Sequence, residues 1–172
     1  MDKAKFKQSS SELKEMTDAL KPYVDNIVEK HSKSLDAIIN KMKKNMATMT
    51  VKELNDTSLE LAIETFYFAE SRDISLLQQE CATALYNMHY ADVYTGTDGT
   101  QNTKSNMAFL ETQENLAVKI LFNAVSTRLK TKLDEAHRVW NALNSVIISR
   151  NAENKQLRER SEPDDDLRIN DL

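Results

Sequence analysis

Three evenly spaced tyrosines are the side chains of this sequence best suited to binding chemistry. Tyr86, Tyr90 and Tyr94 follow one another at i, i+4 and i+8, so a helix would place them on one face. Such a row of rings can stack the bases of single-stranded nucleic acid, at about 1–3 kcal/mol per base. The alternative is that the rings pack across to a neighbouring helix.

The region after residue 100 supplies positive charge. Residues 101–150 carry seven basic and four acidic side chains, whereas residues 51–100 carry two basic and nine acidic ones. Because phosphate contacts dominate affinity for nucleic acids, the acidic quarter cannot bind them by charge. A solvated helix face would also explain the basic residues, and the net charge of the chain is −4. The candidate phosphate contacts are Arg128, Lys130, Lys132 and Arg138.

Catalytic and metal-binding chemistry is not expected from this chain. His31, His89 and His137 lie on different predicted helices, without the Glu-x-x-His spacing of di-metal helical bundles. Cys81 is the only cysteine, so it lacks a companion for a zinc site, and we expect it in the core as a small residue. The sequence predicts a protein that is not an enzyme and has no metal or other cofactor.

Helices must position these side chains, because glycine and proline are rare. The two glycines, Gly96 and Gly99, share one polar stretch, and such residues interrupt regular structure. We therefore predict an all-α fold, a long antiparallel helical hairpin with its loop at 95–104 and an additional N-terminal helix. The hairpin and this helix form one helical domain over 1–155. The predicted helices span about 10–49, 51–94 and 104–152.

The third predicted helix carries apolar residues at alternating spacings of three and four, which is typical of coiled-coil-like packing. A helix of 45 residues would be about 68 Å long at 1.5 Å per residue. Since a helix of that length cannot bury its apolar stripe within a compact monomer, we expect a homo-oligomer. The predicted core or oligomer seam is Val118, Phe122, Val125, Leu129, Leu133, Trp140, Leu143 and Ile147.

The ends of the chain bear on location and on contacts with partners. Residues 156–172 are rich in acids and are predicted to be a disordered tail, or a partner-docking tail anchored by Leu167, Ile169 and Leu172. No segment approaches 18 uninterrupted apolar residues, and the start of the chain lacks the apolar run of a signal peptide. With a single cysteine, these features predict a cytoplasmic protein without membrane contact.

The hairpin resembles that of the phage recombination mediators, the UvsY-like family. The resemblance rests on the segment Asp-Val-Tyr-Thr-Gly from Asp92 to Gly96, the polar loop after it, and one long helix. That helix, from Leu129 through Arg150, begins Leu-Lys-Thr-Lys-Leu-Asp and is similar to the C-terminal helix of the family. The resemblance covers about residues 74–152. Where the family places Lys and Arg before the Asp-x-Tyr-x-Gly segment, this chain has Met88 and Tyr90.

The resemblance implies a ring-like oligomer that binds single-stranded DNA. Such a protein helps a recombinase displace a single-stranded-DNA-binding protein, so both proteins are implied partners, and a phage-encoded chain would act in the host cytoplasm. Its DNA surface would rely on tyrosine stacking or on the basic residues of the third helix. The alternative is a helical scaffold, adaptor or phage inhibitor that acts only through protein–protein contacts.

Overall fold

Four helices make up the part of the chain that the structure describes. The computed structural model covers residues 3–161, with side chains described for residues 14–160. No strand occurs among these residues, so the all-α class is confirmed. The helices are α1 (Lys3–Asn45), α2 (Val51–Gly96), α3 (Gln101–Glu111) and α4 (Gln113–Ser161).

The long helices lie side by side, and α2 has its most extensive contacts with α4. Their directions are opposite, because Gln79 donates a 3.1 Å hydrogen bond to Asn123 while His89, further along α2, lies 3.1 Å from Asn115, earlier in α4. Helix α1 packs against both α2 and α4. At 1.5 Å per residue, the 46 residues of α2 extend about 69 Å.

Local side-chain chemistry sets the start of α2 and the turn that follows it. The Thr50 hydroxyl accepts from the backbone N–H of Glu53, and the Glu53 carboxylate accepts from the backbone N–H of Thr50 at 2.7 Å. This capping box satisfies two N–H groups that a helix start leaves unpaired. The connection from α2 to α3 is only residues 97–100, and Gly99 has a φ of 123°, which glycine adopts at least cost.

The region predicted as one third helix is divided at Thr112. The Thr112 hydroxyl is buried and donates to the carbonyl of Ala108 at 2.6 Å, and α4 starts at the next residue. Helix α4 then continues to Ser161, past the predicted end at 152. Residues 162–172, which include most of the predicted acidic tail, lie outside the described residues.

The core runs along the line where the three long helices meet. On α2, Thr57 is buried, and a series of buried positions recurs at intervals of seven residues: Leu54, Leu61, Phe68, Ser75 and Ala82. Each large apolar side chain buried here contributes about 1.5–3 kcal/mol. The fully buried large apolar side chains on the other helices are Leu35, Ile39 and Met42 on α1, and Val125, Leu129 and Leu143 on α4.

Helix α2 has a second apolar face, which points away from this core. Leu59, Ile63, Phe66 and Leu77 are 64%, 48%, 73% and 59% exposed. The prediction that Cys81 lies in the core is wrong, because the thiol lies on the exposed side of the helix while the next residue, Ala82, faces the core. The apolar periodicity of α2 therefore includes both a buried and an exposed stripe.

Arg150 of α4 holds the turn between α1 and α2. Its guanidinium donates to the backbone carbonyl of Met49, to that of Ala47 at 2.6 Å, and to that of Met46 at 3.4 Å. Carbonyl groups at the end of a helix lack partners within the helix. One side chain from the third long helix thus satisfies three acceptors where the first long helix ends.

Candidate nucleic-acid interface

Tyr86, Tyr90 and Tyr94 form one column on α2, near the end of the hairpin. The ring centroids of Tyr86 and Tyr90 are 6.0 Å apart, and those of Tyr90 and Tyr94 are 6.4 Å apart. The planes of the second pair differ by only 15°, so these two rings are stacked. All three side chains are half-buried. The rings of the tyrosine column therefore support one another, and each side chain keeps part of its surface exposed.

Lys119 of α4 places a positive charge on this column. Its Nζ lies 4.6 Å from the centroid of the Tyr86 ring, within the distance at which an ammonium group is attracted to an aromatic face. The contacts of Gln79 with Asn123 and of His89 with Asn115 lie on either side of this position. These two contacts fix the register of α4 against α2 and therefore place Lys119 beside Tyr86.

Few acids lie close in sequence to the tyrosine column. Residues 51–80 of α2 contain seven Asp or Glu, whereas residues 81–96 contain only Asp92. Most of the acidic residues that disfavour nucleic-acid binding by residues 51–100 therefore precede the tyrosine column on α2. Because screened charges interact weakly beyond about 10 Å, the acids that precede Glu80 on α2 repel a ligand at the column only slightly.

Two of the four basic residues predicted to contact phosphate are paired within the chain. Arg128 forms an ion pair with Asp25, and Lys132 lies 2.5 Å from the Asp36 carboxylate. Both acidic residues belong to α1, so these two basic side chains connect α4 to α1. Since each carries a neighbouring negative charge, Arg128 and Lys132 are less attractive to phosphate than free basic residues.

The other two predicted contacts, Lys130 and Arg138, are exposed on α4. Arg138 donates from Nε to the carbonyl of Asp134, in its own helix, at 3.2 Å. Lys130 forms no hydrogen bond or ion pair within the described side chains. The predicted DNA-binding set thus divides into the tyrosine column and a separate, partly paired basic group, and Lys119, which was not in that set, lies beside the column.

The predicted seam on α4 is divided between the core and the surface. Val125, Leu129 and Leu143 are fully buried, and Phe122, Leu133 and Ile147 are half-buried. Val118 and Trp140 are instead 45% and 40% exposed. The buried members hold the three helices together, and Trp140 remains available for contact with another molecule.

Neither a metal-binding cluster nor a shifted pKa marks a catalytic site among the described residues. Among these residues, no three His, Cys, Asp or Glu side chains are grouped so as to hold a metal ion. Hydrogen bonds from the backbone and side chain of Thr50 lower the pKa of Glu53 below its ordinary value of 4.5. That shift reflects helix capping. No helix in the described part of the chain is long and apolar enough to cross a membrane.

No match to this chain is found among protein-family models, curated proteins or solved structures. The resemblance to the UvsY-like family therefore stays a prediction. In the structure, the segment Asp92–Gly96 that carries it forms the last turn of α2, directly at the tyrosine column.

Proposed function

We propose that this protein is a non-catalytic recombination mediator that binds single-stranded DNA. The observation that carries the proposal is the tyrosine column with Lys119 beside Tyr86. Unpaired bases stack on aromatic side chains whatever their sequence, and a nearby cation adds attraction for the phosphate backbone. A duplex keeps its bases stacked within the helix, so the column selects single strands.

Stacking supplies most of the affinity in this proposal. The chain has a net charge of −4, and Lys119 is the basic residue that the described side chains place against a ring of the column. Each phosphate neutralised on a single strand contributes about −0.7 to the slope of log affinity against log salt, so we expect a slope near −1. The slope would be steeper by about 3 if DNA phosphates also contacted the four basic residues of α4, which are Arg128, Lys130, Lys132 and Arg138.

The mediator role rests on the resemblance of the hairpin to UvsY-like proteins. It assigns the protein two further partners, a recombinase and a single-stranded-DNA-binding protein, and a place in the host cytoplasm during phage recombination or repair. A mediator needs no catalytic group. A homo-oligomer would repeat the tyrosine column and raise the avidity for a long single strand.

Fluorescence anisotropy with a labelled oligothymidylate at low salt tests the DNA site. Tyr90 lies between the other two rings, so Tyr90→Ala removes the middle of the column and should weaken binding by about 5- to 150-fold, from about 1–3 kcal/mol per stacked base. The matched control is Tyr67→Ala, since Tyr67 is 60% exposed on the same helix. Equal affinity of the two variants would refute the column as the site.

A second candidate function is a scaffold, adaptor or phage inhibitor that acts only through protein contacts. The exposed apolar face of α2, with Phe66 at 73% exposure, favours it. Aromatic and apolar side chains that stay exposed on a monomer are typical of protein interfaces. Wild-type protein that self-associates but binds no oligonucleotide at tens of micromolar concentration would select this function over the first.

A further inference from the structure

The exposed apolar face of α2 forms a stripe along one side of the helix. Its members are 48–73% exposed and recur at intervals of three, four or eight residues, which is the spacing of neighbours on one helix face. The stripe extends over residues 59–77, about 27 Å at 1.5 Å per residue. We name it the outer stripe, and its members are Leu59, Ile63, Phe66, Ile74 and Leu77.

The outer stripe lacks the neighbour that the inner stripe of α2 has. Leu61 and Phe68 of the inner stripe are buried where α2 packs against α1 and α4. Within the described residues, no helix covers the outer stripe. An apolar stripe at helical spacing is stabilised by burial against another element. The outer stripe therefore has the form of a surface on which one further helix can pack.

Acidic residues accompany this stripe. Three of its members line a groove together with Glu70 and Asp73, and no Lys or Arg lines that groove. Asp73 is paired with Arg72 at 2.8 Å, whereas Glu70 forms no hydrogen bond or ion pair among the described side chains. Residues 55–88 of α2 contain six Asp or Glu and one Arg. The outer stripe is therefore an apolar surface with a strong excess of negative charge.

This charge selects the chemistry of the partner. Nucleic acid and anionic lipid headgroups carry charge of the same sign and are repelled. Pairing with the same stripe of a second copy about a two-fold axis would bring the acidic residues of both copies together, and like charges at an interface are costly. A basic amphipathic helix is attracted instead, because its apolar side covers the stripe while its Lys or Arg side chains lie beside Glu70.

We propose that the outer stripe of α2 binds a basic amphipathic helix of another protein. A bound helix of about 18 residues covers the stripe along its full length. This site gives the second candidate function its partner and rests on that function, not on the binding of single-stranded DNA. The tyrosine column contacts α4 through Lys119, whereas the outer stripe points away from the core. The two sites are therefore separate.

Fluorescence anisotropy with a labelled synthetic peptide measures this interaction. The probe is a peptide of about 18 residues, the length of the stripe, with Leu and Lys in an amphipathic helical pattern. One control peptide has Glu in place of Lys, and a second has the same Leu and Lys residues in scrambled order. Wild-type protein should bind the probe saturably, with an affinity that falls as salt rises. Both control peptides should bind at least about 10-fold more weakly.

Two variants separate the apolar and the charged contribution, each with a matched control on α1. Phe66→Ala should weaken binding of the probe at least about 30-fold, as for a central interface residue. Its control is Tyr23→Ala, since Tyr23 is aromatic and 65% exposed. Glu70→Lys should weaken binding at least about 10-fold, because it places a positive charge against the basic peptide. Its control is Glu29→Lys, which changes the net charge equally at an exposed position.

Far-UV circular dichroism establishes that the variants are folded, and Leu77→Ala serves in place of Phe66→Ala if that variant is not. Tyr90→Ala should bind the probe as wild type does, so failure of the DNA site leaves this result unchanged. No binding of the probe at hundreds of micromolar, equal binding of the scrambled peptide, or equal affinity of Glu70→Lys and Glu29→Lys would overturn the proposal. A dimer in light scattering that Phe66→Ala dissociates would also overturn it, while leaving the second candidate function in place.

Discussion

Replacement of Arg150 by methionine tests how the three long helices are held together. The guanidinium of Arg150 donates to the carbonyls of Met46, Ala47 and Met49, and the side chain is half-buried. Methionine keeps much of the apolar stem but cannot donate. The variant therefore leaves three carbonyl groups at the end of α1 without this partner.

The magnitude follows from the chemistry of these bonds. A hydrogen bond to a charged group contributes about 1.5–3 kcal/mol. Water can reach part of the turn, because Ala47 is exposed, so the three bonds do not add in full. We expect Arg150→Met to lower the free energy of unfolding by about 2–3 kcal/mol, and the melting temperature by about 5–10 °C for a domain of this size.

Urea unfolding followed by circular dichroism measures this loss. Arg138→Met is the matched control, because the only described bond of Arg138 is to the carbonyl of Asp134 in its own helix, and its loss should stay below about 0.5 kcal/mol. Arg150→Lys should be intermediate, since an ammonium group cannot reproduce the planar fork of donors. Equal stability of Arg150→Met and Arg138→Met would show that the bonds from Arg150 to the turn after α1 do not stabilise the fold.

Two further predictions concern the caps and turns of α2. Hydrogen bonds from Thr50 lower the pKa of Glu53 below 4.5, so the stabilising contribution of this carboxylate is present above the unfolded-state pKa and is lost as pH falls through the lowered pKa. The melting temperature of Glu53→Gln should therefore be below that of wild type near neutral pH and converge with it in acid, and a constant difference would contradict this. Gly99→Ala should cost about 1–2 kcal/mol in unfolding free energy, because Gly99 has a φ of 123° and an added Cβ would lie 3.3 Å from Thr103. Gly96→Ala, with nothing within 4 Å of its Cβ position, should be neutral or slightly stabilising, and thermal unfolding of the two glycine variants compares them directly.

The helical class could be predicted from the sequence because it depends on local properties. Glycine and proline are rare, and the Thr50–Glu53 capping box marks the start of α2 from four residues alone. The face of α2 that the core would take could not be predicted, since apolar residues lie on both sides of the helix. Only the packing of α1 and α4 buries Leu61 and Phe68 and leaves Leu59 and Phe66 exposed.

The candidate site could likewise be predicted only in part from the sequence. The spacing of the tyrosines predicted their common face, but not that Lys119 would lie beside Tyr86. If the chain ran back along α2 without a break from the middle of the 97–100 connection, Tyr86 would lie opposite Glu111. The break at Thr112 shifts α4 relative to α2, so that the observed partner lies further along the chain. Ion pairing of Arg128 with Asp25 likewise depends on α1, which is distant in sequence.

The proposed selectivity of the tyrosine column for single-stranded DNA can be tested in one titration. Wild-type protein is added to a labelled oligothymidylate and, separately, to a duplex of the same length at low salt, with anisotropy as the readout. We expect saturable binding to the single strand, weaker binding to the duplex, and a slope of log affinity against log salt near −1. No binding to the single strand at tens of micromolar protein, or equal binding to both DNAs, would contradict it.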